Sequence, residues 1–75
     1  MKRKLKVKEI LNMDDEELEK MMTEEEFERM KELGFEYTWQ LLDVLQDSAR
    51  ASGQDEDEEH VTISEYLDYL EEIKQ

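Results

Sequence analysis

Carboxylates are the chemistry-bearing groups of this chain. Asp and Glu account for 23 of 75 residues, against ten Lys and Arg and a single His. Two acids three or four apart on a helix lie about 5–6 Å from one another. That spacing suits metal ligation, acid–base work, or a dense negative surface. Acid–base catalysis has no specific signature where such pairs occur everywhere. Nucleophilic catalysis lacks its parts. There is no cysteine, His60 follows the acidic run Asp55, Glu56, Asp57, Glu58 and Glu59, and Ser48, Ser52 and Ser64 have no base and orienting group beside them. A lone histidine without Cys or His companions reads as a surface residue, not a zinc ligand. A small helical chain also lacks the deep pocket most substrates need. The sequence therefore points away from an enzyme and calls for no cofactor or resident metal.

The basic residues are unevenly placed. Lys2, Arg3, Lys4, Lys6 and Lys8 fall in the first eight residues. The remaining 67 residues hold all 23 acids and only Lys20, Arg29, Lys31, Arg50 and Lys74, a local net charge of −18. The early segment could touch phosphate, but no aromatic stacks among its lysines, and the rest of the chain repels nucleic acid. It is expected to lie against its own acidic domain or in solvent. No apolar run nears the roughly 18 residues that span a bilayer, and no apolar stretch follows the basic start, so neither membrane insertion nor export is expected. Without cysteine a reducing cytoplasm is compatible, and it is the expected location.

The positions of these groups are set by helices. Proline is absent and there are two glycines; an all-β chain would need more turn residues. One start signal recurs three times, with a cap, an acid three residues on, and apolar residues on either side. Asp14 and Glu17 are flanked by Met13 and Leu18, Thr23 and Glu26 by Met22 and Phe27, and Thr62 and Glu65 by Val61 and Tyr66. Leu18, Met21 and Met22 share one face, and Phe27, Met30 and Leu33 another, so the chain should break at Thr23 rather than continue as one helix. Gly34 should end the second of these helices. A longer helix follows over about 36–51, with Leu41, Leu42, Val44, Leu45 and Ala49 inward and Gln40, Asp43, Asp47 and Arg50 in water. The last runs over about 63–74, with Ile63, Tyr66, Leu67, Leu70 and Ile73 at helical spacing. Residues 54–60 read as a solvated, flexible acidic loop. Val7, Ile10 and Leu11 read as a short helix. Leu5 and Val7 alternate with lysines as a strand would, but no second strand is evident to pair with them. The expected fold class is all-α, one domain over 1–75 built as a small bundle of four or five short helices.

Among Phe35, Tyr37 and Trp39, Trp39 is expected in the core and Tyr37 at the surface, where it could anchor a partner.

The segment 61–67 resembles the exit half of an EF-hand, with an apolar residue at loop position eight and Glu65 at twelve. Counting back puts Gln54 at position one, Glu56 at three, Glu58 at five and Glu59 at six. The family has Asp at the first and Gly at the sixth. The resemblance covers about a dozen residues and implies at most a degenerate site that responds weakly to divalent ions.

A net charge of −13 exceeds the roughly 2–8 units that keep a small domain in solution. Self-repulsion makes that excess costly, which suggests a use. Duplex DNA presents one negative charge per about 1.7 Å of axis, and an acidic helical surface can imitate it. In size and charge the chain resembles small acidic helical proteins, some phage-encoded, that act this way on nucleases, polymerases or repressors. The expected function is a binding protein that inhibits or regulates a partner with a basic surface. The candidate contact residues are Asp14, Asp15, Glu24, Glu25, Glu28, Tyr37, Asp43, Asp47, and Asp55 with Glu56, Asp57, Glu58 and Glu59. A helical adaptor, including a homo-oligomeric one, is the alternative; exposed Tyr66, Tyr69 or Met residues would favour it.

Overall fold

The helix-start signals act where the sequence places them. In the computed structural model, which describes residues 4–74, the order is β1 (Leu5–Lys6), α1 (Val7–Leu11), α2 (Asp15–Met21), α3 (Glu24–Glu32), α4 (Thr38–Ala51), β2 (Glu59–Val61) and α5 (Ile63–Lys74). Asp14 Oδ1 accepts from the Glu17 N–H at 2.8 Å. Thr23 and Glu26 form a reciprocal box at 2.9 and 3.3 Å, and Thr62 and Glu65 another at 3.0 and 3.1 Å. Each box satisfies N–H groups that a helix start leaves without an internal partner. The break before α3 lets Leu18 and Met22 on one side, and Met30 on the other, reach the same core. Met21, expected inward, is exposed instead. At the far end of α3, Gly34 adopts φ +100°. The Phe35 N–H bonds to the Met30 carbonyl and the Gly34 N–H to that of Lys31, a double closure that needs a left-handed residue.

The fold is mostly helical but not strictly all-α. Leu5–Lys6 pairs antiparallel with Glu59–Val61, Leu5 opposite Val61 and Lys6 opposite Glu59, with His60 as the extra residue of a bulge. Leu5 thus lies in a strand, while Val7 begins α1 as expected; the strand's partner is hidden in the sequence because Val61 lies 56 positions from Leu5, and Glu59 and His60 fall in the segment expected to be loop. Lys2 and Arg3, part of the basic segment, lie outside the described residues.

The sheet also explains how a helix of five residues survives. Isolated helices this short are unstable in water. The start of α1 is held from outside: its Val7 and Lys8 N–H groups bond to the carbonyls of Glu58 and Glu56, each at 3.0 Å. Its end is held by Gln46 of α4, which donates to the carbonyls of Ile10 and Met13 at 3.1 and 3.2 Å. The core gathers Leu5, Ile10, Leu18, Met30, Leu41, Leu45 and Leu67. Helix α4 packs on α1 and α2, and α3 packs on α5.

One charged residue belongs to that core. Glu26 is 2% exposed. One carboxylate oxygen accepts from the Thr23 N–H and the other from the Ser64 hydroxyl at 3.0 Å, tying the start of α3 to the start of α5. Beside it Arg29 bonds Asp68 and Glu71 of α5. Ile73, expected inward, is exposed.

Candidate functional site: an acidic face around an aromatic cleft

The candidate acids divide into two groups. Asp55, Glu56, Asp57, Glu58 and Glu59 are exposed but not a free-standing loop. Lys8 Nζ lies 2.9 Å from Asp57, raising the lysine's pKa and holding the Asp57 carboxyl below its usual range. Glu56 and Glu58 give their backbone carbonyls to α1. Gln54 donates to the Glu59 carbonyl at 3.0 Å. The basic segment, so far as it is described, lies against its own acidic domain: Lys4 also approaches Glu65 at 3.9 Å.

The second group is bare. Asp14, Asp15, Glu24, Glu25, Glu28 and Asp43 are exposed. None of them is in an ion pair among the described residues. Asp47 is also exposed and, among the described residues, pairs with Arg50 on its own helix at 2.9 Å. Several of these acids have a local role as well, because the first turns of α2 and α3 carry Asp15, Glu16 and Glu17, and Glu24, Glu25 and Glu26, at the positive ends of the helix dipoles.

One of the bare acids, Asp15, lines an aromatic cleft. Tyr37 is exposed, as expected. Trp39 is not in the core: it is 51% exposed, and Tyr37 57%. Their rings lie within 8° of parallel, with centroids 6.4 Å apart. The reason is its place on the helix: α4, which begins at Thr38 rather than Glu36, buries Thr38, Leu41, Leu42, Leu45 and Ala49 on one face, and Trp39 lies about 100° away from it. The turn is pinned by Gln40, whose side-chain oxygen accepts from the Glu36 and Tyr37 N–H groups at 2.8 and 3.1 Å. Phe27, Met30 and Thr38 line the cleft with the two rings, and Asp15, Glu19, Lys31 and Glu36 complete the lining. Of the candidate residues the structure thus brings Asp15 and Tyr37 together.

His60 is not a free surface residue. Its Nδ1 lies 2.6 Å from Gln54 Oε1, and its Nε2 3.1 Å from Ser48 Oγ. Gln54's amide nitrogen is committed to Glu59, so its oxygen must accept and Nδ1 must carry the proton. Nε2 then faces the Ser48 hydroxyl. This base beside a serine is invisible in sequence, twelve positions away. The chain Ser48–His60–Gln54 has the order of a nucleophile, base and orienter. Ser48, however, is inside α4, where the nearby N–H groups are spent on the helix and none is left to hold an oxyanion. The arrangement serves to anchor the bulge to α4.

The EF-hand-like segment does form a helix–loop–strand–helix from α4 through β2 to α5. Its Glu65 carboxylate is occupied by the Thr62 N–H, which holds its pKa down, with Lys4 adding to the effect. Among the described residues no group of three or more Asp, Glu, His or Cys is placed to hold a metal ion. Nor is any helix there long and apolar enough to cross a membrane. No protein-family model matches the chain, and no curated protein or solved structure matches it.

Proposed function

We propose that this chain is a non-enzymatic binding protein that inhibits or regulates a partner with a basic surface, in the manner of a nucleic-acid mimic working in the cytoplasm. One observation carries the reading: the ion pairs of the described residues lie at the β-sheet seam, between α3 and α5, and within α4, while the exposed acids Asp15, Glu24, Glu25 and Glu28 of α2 and α3 are in none of them and outnumber Lys20 and Lys31 on those helices. Fixed, unneutralised charge on short helices attracts a positive groove over a distance and speeds encounter. Occupying that groove then excludes the nucleic acid it would otherwise hold.

The test is capture of the partner from cells of the source, followed by competition. Binding should fall steeply as salt rises and be displaced by duplex DNA or heparin. A variant with Asp15, Glu24, Glu25, Glu28 and Asp43 changed to Asn or Gln should keep its helicity and lose capture. Equal capture by that variant sinks the proposal.

The adaptor reading has its own support. Val44, Tyr69, Leu70 and Ile73 line a shallow groove between α4 and α5, and Tyr69 and Ile73 are exposed there. Salt-insensitive binding lost in Ile73→Asp would favour it.

A further inference from the structure

We infer that the Tyr37–Trp39 cleft is the docking point for an arginine side chain of the basic partner, an inference that rests on the function proposed above. Two properties of the cleft select this occupant. Its exposed walls are a near-parallel tyrosine and tryptophan, whose ring faces attract a cation. Its rim carries the carboxylates of Asp15, Glu19 and Glu36 against the single ammonium of Lys31, so the opening is negative.

Chemistry decides between the two basic side chains. A guanidinium is flat, lies against an aromatic face and still offers its edge N–H groups to a carboxylate, while an ammonium is a compact and more strongly hydrated charge. An anionic or neutral occupant would bring no charge to offset the rim. The cleft is also preformed. Gln40 fixes the turn that presents Tyr37 and Trp39, and the Thr38 hydroxyl donates to Glu19 Oε1 at 3.3 Å, so little ordering is left for the moment of binding.

Trp39 is the only tryptophan of the chain, so its emission reports on this cleft alone. The probe is a blocked pentapeptide with two arginines, titrated into the full-length protein at low salt, beside lysine and citrulline versions. The arginine peptide should give a saturable change in Trp39 emission and bind tighter than the lysine peptide. The citrulline peptide should give none. By calorimetry, Tyr37→Ala and Trp39→Ala should each weaken the arginine peptide about five- to tenfold. Both side chains are exposed, so the fold should persist, and circular dichroism checks it; Trp39→Phe should recover part of the loss.

Unchanged affinity in both alanine variants, with salt-dependent binding intact, overturns the inference and leaves the acidic-surface reading standing. The inference falls in the same way if no peptide binds while capture of the partner still responds to heparin. Emission that changes with protein concentration alone assigns the cleft to a second copy and also overturns it. Loss of both peptide binding and heparin-sensitive capture removes the two together.

Discussion

Around the β-sheet seam, opposite charges meet: Lys8 holds Asp57, Lys4 reaches Glu65, and the acidic segment lends its carbonyls to α1. On α2 and α3 the exposed acids Asp15, Glu24, Glu25 and Glu28 are in no ion pair among the described residues, and Asp15 lines a cleft with an exposed aromatic pair. The same residue types thus serve two ends. At the seam, charge closes the chain on itself. At the cleft, charge opposes folding and is tolerated because the helix starts partly offset it. Composition could not separate these uses; only the location of the lysines does.

The two regions should respond oppositely to mutation. At the seam, Leu5→Ala removes a buried side chain from a two-residue strand and should cost about 2–5 kcal/mol. In so short a chain that is a large share of the stability, and thermal unfolding should shift by many degrees. A smaller loss would show that the sheet is dispensable. Gly34→Ala comes next. No atom lies within 4 Å of the added Cβ, so the cost is that of the left-handed backbone alone, about 1–2 kcal/mol, read as a lower denaturant midpoint with unchanged slope.

On the bare face the sign should reverse. Changing Glu24, Glu25 and Glu28 together to Gln removes repulsion but also weakens the dipole contact. The first should win at low salt, because only Glu24 and Glu25 lie in the first turn. Stability should stay level or rise slightly, and the gain should vanish as salt is added. A clear loss would make those acids structural.

The smallest effect is acidic. Asp57 and Glu65 have pKa values lowered from 3.8 and 4.5. A group with a depressed folded-state pKa stabilises fully above its unfolded value, and that contribution fades as pH falls through the lower folded value. Hydrogen-exchange protection of the Val7 and Lys8 amides, relative to the intrinsic rate at each pH, should therefore fall below about pH 4, before that of the Gly34 closure of α3. Simultaneous loosening would show that the seam and the helices open as one unit.

What is legible in the sequence is local. Asp14, Thr23 and Thr62 announce their helices because a cap and its acid lie three residues apart, within one turn. Gly34 announces a helix end for the same reason. What stays hidden is distant or a matter of phase. The pairing of Leu5 with Val61 leaves no mark in either segment alone. His60 gains its partners only when the bulge faces α4. Glu26 is readable as a capping residue, but its burial depends on Ser64, 38 positions on. Trp39 is expected inward and found outside because it lies about 100° from the face that Thr38, Leu41, Leu42, Leu45 and Ala49 bury, on the side of Asp43 and Arg50. Of the candidate site, the exposed acids and Tyr37 are readable from composition and spacing; the cleft that joins Asp15 to Tyr37 needs the tertiary fold.

The pairing of Leu5 with Val61 also sets an order of events during synthesis. A ribosome releases Leu5 long before Val61, so the first strand emerges with nothing to pair with, and α1 without the carbonyls that hold its start. The caps of α2 and α3 are local and α2 can pack on α4 soon after it appears, but the contacts of α3 with α5 and the closing of so long a loop come late. Until then the nascent chain carries an uncovered apolar segment flanked by lysines, and it is shielded only once the stretch around Val61 has left the exit tunnel.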